Sequence, residues 1–258
     1  MSEVILNPFP FAPLWTPADD GADLQLWLDA ADEDTITESA GLVSQWDDKS
    51  GNARNATQGT AANQPTTGTQ VQNGLNVLDF ITNDFFSVDL NFLGGASHTA
   101  FVVCERDGNG SNIYGAATGN QGAASIHVGY RDNAANTYRM NYWANDYYPA
   151  VPSGAQSGYN AIMWKWTYNS RKDIRSNGGG DLGNAQAGSP TTPAGGGRIA
   201  SVVGQAIFDG RIAEILIFNV AIANVLRDKV EGYLAWKWGL QAKLASAHQY
   251  KSNPPREY

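Results

Sequence analysis

Short apolar runs separated by polar turns recur along most of the chain. Leu24, Leu26 and Leu28 lie at every second position, which is the period of a β-strand with one buried face. Similar runs follow, with turn-forming residues between them and no helical period among them. Many short strands of this kind indicate an all-β sandwich or barrel. The predicted strands are residues 24–28, 42–46, 76–80, 85–90, 99–105, 125–131, 137–143, 159–168, 173–176, 198–203 and 211–218.

One helical pattern lies near the end of the chain. Apolar residues recur there at steps of three and four, as they do along one face of an amphipathic helix. Asn224 is suited to cap the start of this helix and Gly239 to end it. We therefore predict a single C-terminal amphipathic helix that lies against the sandwich. Its apolar positions are Ile222, Leu226, Val230, Tyr233, Leu234 and Trp238.

The two ends of the chain differ in composition from the middle. Residues 1–21 contain four prolines, which exclude a helix, and too many apolar side chains for a free linker. Residues 246–258 are polar and read as a tail, which leaves residues 22–245 as the domain. We expect the first segment to be an extended arm that docks either on its own domain or on a neighbouring subunit. Its docking side chains would be Phe9, Phe11, Leu14 and Trp15.

Composition and charge exclude several classes of protein. Of the 258 residues 42% are hydrophobic and 16% are charged, which indicates a folded chain with an uncharged polar surface. Cys104 is the one cysteine, so a disulfide within the chain is excluded. The net charge of −8 and the lack of a basic run argue against nucleic-acid binding. No stretch is long and apolar enough to be inserted into a membrane, and the N-terminus lacks a signal-peptide pattern, so we expect synthesis in a cytoplasm.

Two segments resemble a known domain family. Residues 26–58 (LWLDAADEDTITESAGLVSQWDDKSGNARNATQ) resemble the opening of laminin-G-like jelly-roll domains of phage and bacterial proteins. Residues 208–240 resemble the closing strand and C-terminal helix of these domains, and NGLNVLDF (73–80) looks like the strand that follows their long polar loop. The resemblance implies a two-sheet antiparallel jelly-roll sandwich of the concanavalin A-like type. It says little about function, because one fold hosts many activities.

Catalytic motifs are missing from the sequence. Retaining glycosidases need two carboxyl groups about 5 Å apart, and laminarinase-like glucanases of the concanavalin A-like group carry them in an E-x-D-x-x-E pattern. The nearest run, residues 32–38, has a different spacing and reads as a loop. The chain also lacks G-x-S-x-G, H-E-x-x-H and P-loop motifs, and His98, His127 and His248 lack the spacing of zinc ligands. We therefore predict no catalytic residue, no required cofactor and no enzymatic activity.

Calcium is the metal that the resemblance suggests. Laminin-G-like domains often bind calcium through Asp, Asn and backbone oxygens at the rim of the sandwich, and calcium prefers such ligands. Asp47, Asp48, Asn52 and Asn55 offer these oxygens within one short loop. Alternatively, the same side chains only shape the turn by bonding to nearby backbone groups.

Aromatic residues offer candidate binding sites for a glycan. Trp164 and Trp166 share one face of a predicted strand, and we favour the interpretation that they fill the core. A second group lies at or just after a strand end, where polar and aromatic side chains could contact a sugar together. This predicted glycan-binding loop consists of Trp143, Asn145, Asp146, Tyr147 and Tyr148.

The favoured function is that of a non-enzymatic bacteriophage virion structural protein. A jelly roll of extracellular type without a secretion signal suits a capsid decoration protein or a tail adsorption component, which leaves its host within a particle. Its partners would be other virion proteins and copies of itself in a symmetric oligomer, and surface glycans of the host are a further candidate ligand. The alternative is a lectin-like carbohydrate-binding module, and a glycan hydrolase is the least favoured hypothesis.

Overall fold

The computed structural model describes residues 13–81, 83–108, 111–116, 125–131, 136–142, 145–185, 196–202 and 207–257. Over these residues the prediction of an all-β, two-sheet antiparallel sandwich with one helix near the C-terminus is confirmed. Three predicted site residues lie outside the described residues: Phe9, Phe11 and Trp143.

The described strands are short, as the turn-rich sequence predicts, and one α-helix follows the last of them. Helix α1 spans Asn224–Lys237. The strands are β1 Leu24–Asp29, β2 Ile36–Ser39, β3 Leu42–Trp46, β4 Ala56–Thr57, β5 Val71–Gln72, β6 Leu75–Asn76, β7 Leu78–Phe80, β8 Phe86–Val88, β9 His98–Arg106, β10 Asn112–Ala116, β11 Ile126–Tyr130, β12 Tyr138–Tyr142, β13 Asn160–Thr167, β14 Arg171–Ser176, β15 Leu182–Ala185, β16 Gly197–Ile199 and β17 Gly210–Phe218. Short 3-10 helices span Pro17–Asp23, Glu33–Thr35, Ala61–Asn63, Asn91–Leu93, Ser153–Ala155 and Gln241–Lys243.

Two large sheets face each other. The seven-stranded sheet has the order β1-β17-β9-β13-β14-β15, with β7 also paired to β17. The eight-stranded sheet has the order β12-β11-β10-β16-β8-β4-β3-β2, and β5 and β6 form a separate pair. The late strands β16 and β17 therefore lie inside sheets built mainly from earlier strands, so the fold depends on contacts between distant parts of the sequence.

The main core lies between the two sheets. Trp164 and Trp166 project into it from β13 and have no exposed surface, so the interpretation of these residues as core is confirmed. Tyr138 of the opposite sheet meets Trp164 edge to face at 6.0 Å, and Tyr142 lies 4.9 Å from Trp166. Aromatic pairs from facing sheets thus bind the two layers together.

A second apolar layer covers the outer face of the seven-stranded sheet. Val230, Leu234 and Trp238 of the helical face are buried there, as their spacing predicts. Asn224 is the first helical residue rather than the cap, because Ala223 occupies the cap position. Gly239 follows the helix with a φ of 68°, a left-handed conformation that suits a glycine at a helix end.

The described part of the N-terminal arm lies on its own domain. Trp15 is 2% exposed and meets Tyr233 of helix α1 edge to face at 6.1 Å. The backbone N–H of Trp15 donates to the carbonyl of Pro255 at 3.1 Å, whereas the side chain of Leu14 is 55% exposed. Residues 13–16 therefore dock on their own domain, which is one of the two possibilities that the sequence leaves open.

The C-terminal segment also packs on helix α1. His248 is buried, and its Nε2 donates to Glu231 Oε2 at 3.1 Å. Trp236 Nε1 donates to the carbonyl of Tyr250 at 2.8 Å. The polar residues of this segment thus anchor it by hydrogen bonds. Among the described residues, no helix has the length and apolarity needed to cross a lipid bilayer.

Candidate functional site

A continuous row of paired residues crosses the outer face of the eight-stranded sheet. Side chains alternate between the two faces of a strand, and the sequence neighbours of these residues, such as Trp46, Phe86 and Met140, point into the core. The members of the row therefore point outward, and none of them carries a carboxylate. In strand order from β2 to β12 this polar row consists of Thr37, Gln45, Thr57, Ser87, Arg198, Gly115, His127 and Asn141.

The polar row is exposed at its β2 end and covered at its β12 end. Thr57 and Ser87 are exposed, whereas His127 and Asn141 are buried. Gly115 lies between the two halves, and a Cβ atom there would collide with the side chain of Val202. A ligand would therefore enter from the exposed half, and the covered half fixes the geometry of the strands beneath it.

Residues 145–148 extend the eight-stranded sheet beyond β12. The backbone N–H of Met140 donates to the carbonyl of Tyr147 at 3.0 Å, so the segment runs alongside the strand. Tyr148 lies on the outer face, where its Oη accepts from Asn141 Nδ2 at 2.5 Å and donates to Asp146 Oδ2 at 3.2 Å. The guanidinium of Arg131 lies 4.4 Å from the ring of Tyr148. Asp146 and Tyr148 thus continue the polar row.

The other two described members of the predicted glycan-binding loop turn inward. Tyr147 packs against the core between the sheets, and its backbone N–H donates to Asn141 Oδ1 at 3.1 Å. Both oxygens of Asn145 accept from Lys172 Nζ of the facing sheet, with 3.3 Å to the side-chain oxygen. The structure therefore brings Asp146 and Tyr148 together on one surface but places Asn145 and Tyr147 on the opposite side of the segment.

Lys172 is a buried cation that the sequence analysis did not identify. Its Nζ lies 5.1 Å from the ring centre of Tyr142 and 5.5 Å from that of Trp166. Burial lowers the pKa of Lys172 to about 7, and the charge of Asp146 acts weakly in the opposite direction. A charged residue beside other charged residues in a strand gives no sequence signal of such burial. Lys172 links the seven-stranded sheet to the segment that carries Tyr148.

Two arginines of the outer face also escaped the sequence analysis. Arg198 lies 4.0 Å above the ring of Phe85, one residue before β8. Arg139 of β12 donates through Nη1 to Asn112 Oδ1 at 3.0 Å. Alternation along the strands could have placed both side chains outward, but their partners come from strands that are distant in the sequence.

Comparisons with known proteins show similarity in fold. No protein-family model and no curated protein matches the chain. Domain 4 of AbnA, a GH43 extracellular arabinanase from Geobacillus stearothermophilus solved in complex with arabinotriose, is 11% identical with a TM-score of 0.56, over 78% of this chain and 94% of that one. An arabinofuranosidase complexed with arabinofuranosyl-alpha-1,2-xylobiose is 13% identical with a TM-score of 0.57, over 81% of this chain and 58% of that one. The likeness shows the fold alone.

The candidate calcium ligands are engaged in a turn. The Asp48 carboxylate accepts four hydrogen bonds, from the backbone N–H groups of Trp27, Ser50 and Arg54 at 2.9–3.0 Å and from the Ser50 hydroxyl at 2.8 Å. The other three candidates bond within or beside the same loop: Asp47 to Gln45, Asn55 to the Asp48 backbone, and Asn52 to Leu24. These are the bonds of the turn-shaping alternative: oxygens of Asp47, Asp48 and Asn55 accept in them, whereas Asn52 donates through its amide nitrogen.

Two carboxylates line a cavity of about 370 Å³ at the β2 edge. Glu33 lies in a 3-10 turn and Glu38 in β2, so the prediction that residues 32–38 form a loop is wrong for most of this run. Glu38 Oε2 accepts from the backbone N–H of Gly41 at 2.6 Å. Both side chains are exposed, and their cavity is the place where a hydrolase would be sought.

The structure brings His248 together with Asp228 and Glu231, whose potential ligand atoms all lie within 4.8 Å of one another. His248 Nδ1 accepts from the backbone N–H of Tyr250 at 3.3 Å, which leaves the proton of the neutral ring on Nε2, where it is donated to Glu231. Arg175 lies 2.8 Å from Glu231 as well. A histidine proton and a guanidinium occupy the positions that a metal would need, so this cluster fits a hydrogen-bonded anchor for the C-terminal segment.

Proposed function

We propose that this chain is a carbohydrate-binding module that holds a glycan across the exposed part of the polar row. The observation that carries the proposal is the series of outward polar side chains on five neighbouring strands from β2 to β16: Thr37, Gln45, Thr57, Ser87 and Arg198. Neighbouring strands lie about 4.8 Å apart, so the exposed part, on the five strands β2, β3, β4, β8 and β16, extends over roughly 20 Å, enough for several sugar units. Hydroxyl and amide side chains both donate and accept hydrogen bonds, as sugar hydroxyls do.

Aromatic rings beside the polar row add to this support. Tyr148 and Phe85 lie on the same outer face, at its end and near its middle. Binding sites for small ligands combine such apolar rings with a few placed polar groups. The fold that the chain shares with an arabinotriose-bound domain also favours a glycan as the ligand.

We further propose that binding occurs without catalysis. Glycosidases need two carboxyl groups that flank the scissile bond, whereas the polar row contains none and its continuation at residues 145–148 adds Asp146 alone. The cavity with Glu33 and Glu38 is the competing site. Release of sugar from a polysaccharide by the purified chain, abolished by Glu33→Gln or Glu38→Gln, would establish a hydrolase instead.

The role in a bacteriophage virion stays a prediction, together with virion partners and self-association. A glycan-binding module is compatible with that role, since an adsorption component must recognise a cell surface. Cosedimentation of the chain with purified particles would test it.

A blocking substitution on the exposed half of the polar row tests the proposed function. Ser87→Trp places a large ring in the row without disturbing the core, because Ser87 is exposed. Glycans that bind the native chain on an array would be measured by calorimetry against this variant. We expect affinity to fall about tenfold or more, because the ring excludes the ligand from its hydrogen-bonding partners.

The matched control is Ser170→Trp, in an exposed turn between β13 and β14 of the other sheet. It should bind as the native chain does. Equal affinity of both variants would show that the ligand lies elsewhere, and the lack of any glycan ligand would refute the proposal as a whole.

A further inference from the structure

Two arginines on the outer face of the eight-stranded sheet lie on aromatic rings rather than beside acids. Arg198 lies over Phe85 at 4.0 Å and Arg131 over Tyr148 at 4.4 Å. Within the part of the chain that the structure describes, neither guanidinium has a hydrogen bond or an ion pair. Each therefore offers its donors to a ligand.

Four arginines of the seven-stranded sheet and helix α1 are paired with acids: Arg171, Arg175, Arg211 and Arg227. Arg211 Nη2 lies 2.8 Å from Asp107 Oδ1, and Arg227 Nη2 lies 2.8 Å from Asp228 Oδ1. The chain has 25 acidic residues against 17 Lys and Arg, so partners for arginine are abundant overall. No acid among the described residues is paired with Arg198, so this part of an acidic protein is locally positive.

The surroundings of Arg198 favour an anionic ligand. Partial burial lowers the pKa of Arg198 from its ordinary value, because solvent is removed and no carboxylate compensates. The ring of Phe85 holds the guanidinium plane in place, which reduces the entropy lost when a ligand binds. On the neighbouring strand Ser87 faces Arg198 directly and adds an exposed hydroxyl.

We infer that the glycan held on the polar row is anionic and that Arg198 binds one of its carboxylate or sulfate groups. This inference rests on the proposed function and names the ligand class of the same site. A guanidinium binds either group through two parallel N–H···O bonds. Arg131 follows β11, which lies two strand spacings or roughly 10 Å from β16, so a polymer with repeated anionic groups can contact both arginines.

Binding is measured to pairs of polysaccharides that share a sugar backbone and differ in charge, which distinguishes recognition of the charge from recognition of the sugar. Polygalacturonate is compared with its neutral methyl ester, and dextran sulfate with dextran, so that the two arms distinguish carboxylate from sulfate. We expect at least one charged member to bind about tenfold or more tightly than its neutral counterpart. Added salt should weaken that binding, because mobile ions screen exposed charges.

Arg198→Gln should reduce the affinity for the charged polysaccharide to that for the neutral one. Arg171→Gln, which removes the same charge from an arginine paired with Asp173 on the other sheet, is the control and should bind as the native chain does. Thermal unfolding of both variants verifies that they are folded. Equal binding of Arg198→Gln and native chain to the charged polysaccharide would overturn the inference.

The remaining outcomes distinguish the two proposals. Tight binding of neutral glycans with no preference for charge would refute the anionic ligand and leave the module intact. Binding of single-stranded DNA as tightly as the charged polysaccharide would overturn the inference, because it would show attraction to any polyanion. Failure to bind any glycan, charged or neutral, would refute the proposed function itself.

Discussion

The outer face of the seven-stranded sheet is apolar and carries helix α1, whereas the outer face of the eight-stranded sheet is polar and carries no α-helix among the described residues. Val103 and Leu216 point outward from the first sheet and are buried beneath the helix. Thr57 and Ser87 point outward from the second sheet and are exposed. Burial of apolar area stabilises the first face at about 25 cal/mol per Å². The second face adds little stability and is available to a ligand.

Charged side chains have different partners on the two faces. Glu214 is fully buried between the seven-stranded sheet and helix α1, and four donors satisfy it: Trp27 Nε1, Tyr233 Oη, Trp238 Nε1 and Lys237 Nζ, at 2.6–2.9 Å. A buried carboxylate needs such partners, because burial removes the water that would otherwise solvate it. Over the described ranges, Arg198 on the other sheet has no ion pair with an acid. The carboxylate under the helix is thus paired within the chain, whereas the guanidinium of Arg198 on the polar row lies on an aromatic ring.

The largest expected effect is on the covered face. Glu214→Ala would leave the indole N–H groups of Trp27 and Trp238 unsatisfied in the layer beneath the helix, and Asp29 would be the one remaining acidic partner of Lys237 among the described residues. We expect the free energy of unfolding to fall by about 3–5 kcal/mol, as is usual when one partner of a buried ion pair is removed. Urea unfolding followed by tryptophan fluorescence measures this.

The matched change on the polar row is Thr57→Ala, which removes an exposed side chain and should alter stability by no more than about 0.5 kcal/mol. If the two variants lost similar stability, the division of the molecule into a stabilising face and a binding face would be wrong.

A smaller effect is expected where the two sheets meet at Lys172. Burial lowers the pKa of its ammonium group from 10.5 to about 7. Between these values the unfolded chain holds a proton that the folded chain has released, so stability rises with pH from about 7 towards 10.5 and this gain is lost as the pH falls to 7. The slope from this residue is at most about 1.4 kcal/mol per pH unit.

Lys172→Met keeps the apolar stem of the side chain and removes the titrating group. Urea unfolding at several pH values between 7 and 9 should therefore give a shallower rise for this variant than for the native chain. Parallel curves would show that Lys172 is charged in the folded protein throughout this range.

Sequence periodicity could predict which side chains share a strand face, but not which face stays uncovered. The alternation that places Ser87 and Arg198 outward is local, whereas their adjacency arises because β16 inserts between β8 and β10. The directions of side chains in loop segments are harder to predict. Sequence proximity predicts that residues 145–148 form one binding loop. The segment instead pairs alongside β12, so Asp146 and Tyr148 point to one side of the sheet and Asn145 and Tyr147 to the other. Burial of Lys172 follows from the facing sheet, which no local pattern reveals.

Backbone amide NMR of the isotopically labelled chain, titrated with the glycan that binds most tightly, would locate the bound ligand on the surface. We predict that the largest chemical-shift changes cluster at β8, β16 and residues 145–148 on the eight-stranded sheet. Changes that cluster instead around helix α1, or around the cavity with Glu33 and Glu38, would contradict it.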